Sequence, residues 1–318
     1  MRIFVTGSTG FAGSHLVDQL LAAGHEVFGL YHPATSHQPL AQHPLFHWVE
    51  GDLLELVSLK AAVTAASPHV VYHLAGQASP SRSWDNPALT LAVNAGGTAN
   101  LLEAALAAGR PRVVVVTSAE IYGPAQPHEL PLTEASPPRP QHPYGVSKWA
   151  AGQLVPLYWQ RYQLPVVEAR PFNHVGPRQA LGFVVPDFAS QLAAIRLGRQ
   201  KPALSVGNLS AARDFTDVRD VARAYQYLAE RGRPGESYLI CSGEAISIQT
   251  ILDTLIELAG VEVEVIEDSR RARPVEILYL RGSNAKIAQD TGWRPEINLR
   301  QSLADALEDW LERLRREA

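Results

Sequence analysis

The sequence predicts an α/β protein built on a doubly wound parallel sheet, with a smaller C-terminal α/β region. Apolar runs of strand length alternate with helical stretches through the first half of the chain, which is the pattern that parallel sheets produce. One run, residues 112–117, is nearly all valine, as is typical of a strand buried on both faces.

The individual elements follow from this pattern in chain order. Strands are predicted at 2–6, 26–31, 70–75, 112–117 and 165–170, and helices at 11–23, 56–66, 88–108 and 145–162. After residue 171 the alternation loosens, with helices at 218–230, 247–259, 284–291 and 299–315 and short strands near Tyr238 and Val263. We therefore expect a first unit at 1–171 and a second at 172–318, with the chain crossing back between them.

Composition argues against several classes of protein. The 318 residues are 46% apolar and 19% charged, with a net charge of −4, so we expect neither nucleic acid nor an anionic membrane as a partner. No apolar stretch has the length of a membrane span, and the single cysteine fits a reducing compartment, so we expect a cytoplasmic protein. No metal site is expected: His43 and His47 are four residues apart, but Pro44 and the aromatic run after it predict a strand instead of a metal-binding helix.

The first predicted strand leads into TGSTGFAG, in which Gly7, Gly10 and Gly13 are three residues apart. Gly7 permits a tight turn, Gly10 lets the backbone approach a pyrophosphate, and Gly13 lets the helix lie close to the strand. The helix N-terminus then offers free N–H groups and a positive dipole end to the phosphates. An ordinary glycine-rich turn is disfavoured, because the triplet lies between a strand and a helix. The sequence therefore predicts a Rossmann fold that binds a nicotinamide dinucleotide.

The second strand bears on the choice of cofactor. Sites for NAD usually hold a carboxylate at its end, against the ribose 2′-hydroxyl, but Leu30, Tyr31 and His32 stand there. A 2′-phosphate would be tolerated next to His32, so NADP(H) is favoured over NAD(H). Asp52 is expected to contact the adenine, with simple turn chemistry as the alternative. The other residues predicted to bind the cofactor are Thr9, Phe11, Leu53, Leu74 and Ala75.

A tyrosine and a lysine supply the candidate chemistry. Tyr144 and Lys148 are four residues apart at the start of a predicted helix, so their side chains share one face. A free tyrosine titrates at about pH 10, and the Lys148 ammonium is expected to lower that pKa and to hydrogen-bond the nicotinamide ribose. Ser118 ends the valine-rich strand at the edge where ligands bind, where its hydroxyl is expected to hold a carbonyl oxygen while Tyr144 gives or takes a proton. The alternative, an ordinary amphipathic helix, is disfavoured by the order of the three motifs.

With these motifs in place, the chain resembles the extended short-chain dehydrogenase/reductases that modify nucleotide sugars. The resemblance covers essentially the whole chain. It rests on TGSTGFAG, HLAGQAS from His73, VNAGGT from Val93, TSAEIYG from Thr117, YGVSK from Tyr144, RPFNHVGPRQ from Arg170 and VGNLSAARDFTDVRD from Val206. The last two strings, with GFVVPDFA from Gly182, are most similar to the GDP-mannose branch: first to GDP-6-deoxy-D-mannose reductases, next to GDP-mannose 4,6-dehydratases.

The resemblance implies an enzyme that uses NAD(P)H to reduce the 4-keto group of a GDP-4-keto-6-deoxy-hexose. It implies catalytic roles for Ser118, Tyr144 and Lys148. It also implies a substrate site of Asn173 against the sugar nucleotide, Arg213 and Arg273 on its diphosphate, and Val185. A guanidinium suits phosphate, although without the resemblance Arg213 would be interpreted as part of a surface ion pair.

Glu120 keeps a second activity open. In the related dehydratases a glutamate at the matching place takes the proton from carbon 5 of the sugar, but reductases can carry it too. Ser118 stands where dehydratases usually have threonine, and Tyr31-His32-Pro33 stands where they tend to be arginine-rich; both favour the reductase. The alternatives are a GDP-mannose 4,6-dehydratase, another nucleotide-sugar epimerase or dehydratase, and a non-catalytic NADP-binding sensor, a class that typically loses the tyrosine–lysine pair.

The helices at 88–108 and 145–162 predict the assembly. Both are rich in alanine and leucine around much of their circumference, and an apolar face left outside marks an interface. Related enzymes commonly pair through these two helices as a four-helix bundle, so a homodimer is expected, with a monomer as the alternative. The side chains without an obvious internal role are Leu101, Ala105, Trp149, Leu154 and Leu157.

Overall fold

The computed structural model describes residues 1–32, 43–268 and 278–317. Its helices and strands, in chain order, are β1 (Arg2–Thr6), α1 (Phe11–Ala22), β2 (Glu26–Tyr31), β3 (Phe46–Glu50), α2 (Leu56–Ala66), β4 (Val70–His73), α3 (Pro87–Leu91), α4 (Gly97–Ala107), β5 (Arg112–Val116), α5 (Pro143–Tyr162), β6 (Val166–Pro171), β7 (Asn173–Val175), α6 (Val184–Arg196), β8 (Ala203–Val206), β9 (Ala212–Asp217), α7 (Val218–Arg231), β10 (Ser237–Ile240), β11 (Ala245–Ser247), α8 (Ile248–Ala259), β12 (Glu264–Glu267), α9 (Ala285–Thr291) and α10 (Leu299–Arg316). A π-helical segment, Ala92–Gly96, joins α3 to α4.

Seven parallel strands form the central sheet in the order β10-β6-β5-β4-β1-β2-β3. From β1 the chain moves outward to β2 and β3, then returns to form β4 on the other side of β1. Doubly wound sheets bind their ligands outside the carboxyl ends of the strands at such a reversal. The predicted Rossmann fold is confirmed, and its crevice lies between β1 and β4.

Side chains that alternate along β1 show how the two faces of the sheet are covered. Ile3 and Val5 belong to an apolar layer with α1 and α7, whereas Phe4 belongs to a layer with α2, α4 and α5. The period-two alternation of a strand produces this division. The helix that follows the glycine-rich loop and the helix that carries Tyr144 therefore lie on opposite faces.

The smaller region has its own core. A three-stranded sheet, β11-β9-β7, and a pair, β12-β8, pack with α6, α8 and α10 around a separate apolar cluster. The strand near Tyr238 was expected in this region, but β10 pairs with β6 in the central sheet, and α7 packs on that sheet as well. This pairing covers β6, which would otherwise be an exposed edge. The division between residues 171 and 172 stays a prediction.

Two of the side chains assigned to a surface lie in the core. Leu101 and Ala105 are fully buried in the layer that α4 shares with α2 and α5, so the interpretation that they lack an internal role was wrong. The sequence did not show that α2 packs against α4. Trp149 and Leu157 are 37% and 57% exposed, and Leu154 is partly buried.

The described residues hold neither a membrane-spanning helix nor a metal cluster. None of their helices combines the length and apolar character needed to cross a bilayer, and no three His, Cys, Asp or Glu side chains among them are grouped to hold a metal ion. The strand predicted around His47 is confirmed as β3. His47 Nε2 lies 3.2 Å from Glu26 Oε1.

A charged side chain is buried beneath α5. Glu168, on β6, is fully buried and accepts hydrogen bonds from Thr117 Oγ1 at 2.6 Å, Arg170 Nη2 at 2.8 Å and Ser237 Oγ at 2.5 Å. The helix passes directly over this carboxylate at Gly152, where a β-carbon would lie 2.3 Å from Glu168 Oε1. The missing side chain at position 152 therefore makes room for the carboxylate.

We expect Gly152→Ala to lower the free energy of unfolding by about 1–3 kcal/mol, because overpacking against a fixed group outweighs the roughly 1 kcal/mol of helix propensity gained. Urea unfolding measures this. Gly96→Ala is the matched control, since a β-carbon there meets nothing within 4 Å; it should be neutral or slightly stabilising. A Gly152→Ala variant as stable as the parent would show that the Glu168 carboxylate moves aside without cost.

Candidate active site

A cavity of about 1550 Å³ opens at the carboxyl edge of the central sheet and is also lined by the smaller region. It brings together all the predicted site residues that the structure describes; Arg273 lies outside the described residues. The predicted residues in its wall are Gly7, Thr9, Gly10, Phe11, Gly13, His32, Asp52, Leu53, Leu74, Ala75, Ser118, Glu120, Tyr144, Lys148, Asn173, Val185 and Arg213. Their individual roles stay predictions.

The glycine-rich loop forms one end of this cavity. Gly7 has a φ of +71°, and a β-carbon on it would lie 2.7 Å from the amide nitrogen of Ala75. A β-carbon on Gly13 would lie 2.0 Å from the carbonyl oxygen of Gly7. No side chain caps α1 at Gly10, and the first residues of that helix line the cavity. This cradle fits a phosphate group at a helix N-terminus.

A carboxylate that is distant in the sequence lies next to the end of β2 in the structure. Asp52, which follows β3, brings its Oδ2 atom to 3.5 Å from His32 Nε2. Its Oδ1 atom also accepts the amide of Leu54 at 2.9 Å, so the expected turn chemistry is present too. A ribose 2′-phosphate would meet His32 here, and a 2′-hydroxyl would meet Asp52.

Tyr144 and Lys148 lie one turn apart on α5, with 8% and 7% of their surface exposed. Burial raises the pKa of Tyr144 to about 12; a side-chain hydrogen bond with Ser118 lowers it and the charge of Glu120 raises it. Burial lowers the pKa of Lys148 to about 8, and the charge of Glu168 acts against this. The expected lowering of the Tyr144 pKa by Lys148 is not found, because burial dominates at Tyr144 and Lys148 Nζ donates to the Val116 carbonyl at 3.0 Å.

The phenol of Tyr144 is therefore protonated at neutral pH. A protonated phenol can donate its proton to an oxygen that gains negative charge. Tyr144 can therefore act as a proton donor in this cavity.

His142 joins two parts of the site and was not singled out in the sequence. It is the N-cap residue of α5, and its Nδ1 atom accepts the amide of Gly145 at 2.9 Å. In the neutral ring the proton is therefore on Nε2, which donates to Glu120 Oε2 at 3.0 Å. Histidine is an uncommon N-cap, so the sequence offered little signal for this link between Glu120 and the helix of Tyr144.

Asn94 is a second residue that hydrogen-bonds to α5, the helix of Tyr144 and Lys148. It lies in the π-helical segment between α3 and α4, a feature frequent at functional sites. Its Oδ1 accepts the amide of Gln77 at 2.8 Å, and its Nδ2 donates to the Gln77 carbonyl at 3.0 Å and to Ser147 Oγ at 2.8 Å. The two glycines of VNAGGT were the only signal in the sequence, and a regular helix was expected there.

The smaller region supplies the remaining wall. Asn173 begins β7 and is paired with Phe215 of β9. Arg213 lies two residues earlier on β9, and its Nη1 donates to the carbonyl of Ala212 at 2.9 Å. Val185 is in the first turn of α6. Loop, helix and strand residues distant in the sequence are thus brought to one cavity.

Two buried polar atoms in the wall have no hydrogen-bond partner within the described part of the chain. They are the Tyr225 hydroxyl on α7 and the Oε1 atom of Gln179, after β7. An unpaired polar atom inside a protein is costly. Both atoms therefore indicate places where the polar groups of a bound molecule would be received.

The chain is similar to proteins of known function along nearly its whole length. The profile of the GDP-mannose 4,6 dehydratase family matches residues 4–306. The GDP-6-deoxy-D-mannose reductase of Pseudomonas aeruginosa is 39% identical over 317 residues, which cover 99% of each chain.

Solved structures agree with this match. RMD from Pseudomonas aeruginosa, complexed with NADPH, superimposes with a TM-score of 0.87 at 38% identity, over 98% of this chain and 99% of that one. The UDP-glucose 4-epimerase of Thermus thermophilus, complexed with NAD, gives a TM-score of 0.86 at 30% identity, over 98% and 99%. The resemblance inferred from the motifs is confirmed, and the chain belongs to the GDP-mannose 4,6-dehydratase family, within the extended short-chain dehydrogenase/reductases.

Proposed function

We propose that this protein is a nicotinamide-dependent reductase that converts the 4-keto group of a GDP-4-keto-6-deoxy-hexose to a hydroxyl. The observation that carries the proposal is that Ser118, Tyr144 and Lys148 line one cavity together with the glycine-rich loop. The 39% identity to the GDP-6-deoxy-D-mannose reductase of Pseudomonas aeruginosa supports this choice of substrate.

Ser118, Tyr144 and Lys148 have separate roles in the proposed reduction. Ser118 holds the substrate carbonyl oxygen, and Tyr144 donates its phenolic proton to that oxygen as negative charge develops there. Lys148, charged below about pH 8, would hold the nicotinamide ribose of the bound dinucleotide. A bound nicotinamide dinucleotide supplies the hydride for carbon 4.

The cofactor proposal favours NADP(H) over NAD(H). Gly7, Gly10 and Gly13 would receive the pyrophosphate, and His32 would receive the 2′-phosphate. The NADPH complex of the Pseudomonas aeruginosa RMD supports this choice, while Asp52, 3.5 Å from His32, would let NAD(H) serve as the weaker alternative.

For the substrate, we propose that Arg213 holds the diphosphate and that Asn173 and Val185 contact the sugar nucleotide. All three lie in the cavity wall, and a guanidinium suits a charge-assisted contact with phosphate. Arg273 is proposed for the same role on the strength of the family resemblance. The reducing environment that a single cysteine fits supports a cytoplasmic location.

A GDP-mannose 4,6-dehydratase is the second candidate function, because Glu120 lines the cavity where a base for carbon 5 would be needed. The hydrogen bond from His142 at 3.0 Å holds that carboxylate in place. The 39% identity to the GDP-6-deoxy-D-mannose reductase of Pseudomonas aeruginosa favours the reductase.

We also propose a homodimer. Exposed apolar side chains lie on α3 and α5, and these two helices pack together. Isolated exposed apolar residues are ordinary, but several on adjacent helices are typical of an interface. The side chains proposed for this interface are Leu91, Val146, Trp149, Leu157 and Tyr162.

Cofactor stoichiometry separates the two candidate functions. With GDP-4-keto-6-deoxymannose, we expect one NADPH oxidised per product, followed at the nicotinamide absorbance. Tyr144→Phe should bind NADPH normally but lose at least about 100-fold in turnover, as the loss of a general acid does. Conversion of GDP-mannose with no net change in NADPH, and loss of that conversion in Glu120→Gln, would establish the dehydratase instead.

The pH dependence of turnover tests the role of Lys148. Since its pKa is lowered to about 8, the ammonium is present below that pH and is lost above it, so turnover should fall as pH rises through about 8. Lys148→Arg stays charged, so its residual activity should not show this alkaline fall. Were the fall to persist unchanged in Lys148→Arg, another group would be its cause.

Sedimentation equilibrium tests the dimer. The parent protein at micromolar concentration should have twice the mass of one chain, and Trp149→Glu with Leu157→Glu should have the mass of one chain, because charges are buried poorly at an apolar interface. Val265→Glu, on exposed β12, is the control and should stay dimeric. A monomeric parent contradicts the dimer, and a dimeric double variant contradicts the surface.

A further inference from the structure

Tyr225 carries a buried hydroxyl that the proposed chemistry does not use. The side chain is fully buried, and its ring packs in the apolar layer formed by α1, α7 and the central sheet. Within the described part of the chain, its hydroxyl has no hydrogen-bond partner. A phenylalanine would fill the same space without the unpaired group, so the hydroxyl has no evident role in stabilising the fold.

Tyr225 lies in the wall of the cavity that Tyr144 also lines. Its helix, α7, packs on β5 and β6, the strands that lead to Ser118 and Phe172. Burial raises the pKa of Tyr225, and its electrostatic interaction with Tyr144 raises it further. Tyr144 reaches the cavity from one face of the sheet, and Tyr225 reaches it from the face covered by α1.

We propose that the Tyr225 hydroxyl hydrogen-bonds the amide group of the nicotinamide when the dinucleotide is bound. The proposal rests on the cofactor site of the proposed function. In a doubly wound sheet the dinucleotide crosses the carboxyl ends of the strands, so its redox end would meet Tyr144 while its phosphates meet the loop before α1.

The chemistry of the two groups matches. An amide offers a carbonyl acceptor and an NH₂ donor, and a neutral phenol both donates and accepts, so either orientation of the amide satisfies the hydroxyl. The raised pKa of Tyr225 keeps this phenol neutral throughout the working range. Apolar Val116, Leu74 and Phe172 also line this cavity, which suits an aromatic ring that carries one polar group.

Two measurements on Tyr225→Phe test the proposal. We expect the Kd for NADPH, measured by calorimetry, to rise about 3- to 10-fold, as the loss of one neutral hydrogen bond predicts. The melting temperature of the ligand-free variant should stay the same or rise, because an unpaired buried hydroxyl has been removed. A merely structural tyrosine would give the opposite pair of results.

Tyr238→Phe is the matched control. Tyr238 belongs to the same apolar layer, but its hydroxyl accepts the amide of Arg233 at 2.8 Å and donates to Asp290 at 3.0 Å. This substitution should lower the melting temperature and leave the Kd for NADPH unchanged.

Three results would overturn the inference for Tyr225: an unchanged Kd for NADPH, a clear fall in the melting temperature of the ligand-free variant, or weaker binding of GDP-mannose with NADPH binding unchanged. The first two assign the hydroxyl to a partner other than the cofactor, such as a buried water, and the third assigns it to the sugar. Failure of the parent protein itself to bind NADPH would overturn the proposed function together with this inference.

Discussion

The architecture of the site depends on backbone-to-backbone packing at the glycine-rich loop. Gly7 approaches Ala75, and Gly13 approaches Gly7, at distances that leave no room for a β-carbon. This packing fixes where α1 begins. The same helix carries Phe11, whose ring stacks on His174 at 5.5 Å, and His15, whose Nε2 lies 2.9 Å from the Pro177 carbonyl. The glycine-rich loop therefore also sets the position of the segment from which the smaller region reaches the cavity.

Burial then governs the charge of the reactive groups. It favours the neutral forms of both Tyr144 and Lys148, although it moves their pKa values in opposite directions. Glu168 opposes this effect at Lys148, and it does so from inside the sheet, where hydrogen bonds from Thr117 and Arg170 hold it. The protonation states of the two side chains thus depend on the protein interior as much as on the spacing of two residues on a helix.

The sequence was sufficient wherever a signal is local. The glycine spacing, the valine-rich strand before Ser118, and the four-residue interval between Tyr144 and Lys148 each follow from the geometry of one element, and all of these residues line one cavity.

Where tertiary packing decides, the sequence was insufficient. It did not indicate that β10 completes the central sheet, that Leu101 and Ala105 are core residues, or that Asp52 reaches the end of β2. Nor did it single out His142 and Tyr225. The role of an isolated histidine or tyrosine depends on whether it has a hydrogen-bond partner in the folded structure, and the sequence does not show this. The predicted lowering of the Tyr144 pKa was wrong for the same reason, because the sequence showed the neighbouring charge of Lys148 but not the burial of Tyr144.

The close approach of α5 to β6 restricts the order in which this protein can evolve. A side chain at position 152 costs stability as long as the glutamate at 168 is present, since the two compete for one volume. Loss of the carboxylate at 168 in turn leaves the buried guanidinium of Arg170 without its counter-charge, a costly intermediate. Positions 152, 168 and 170 are thus energetically coupled, and divergence of the helix that carries Tyr144 and Lys148 is limited by residues outside the cavity wall.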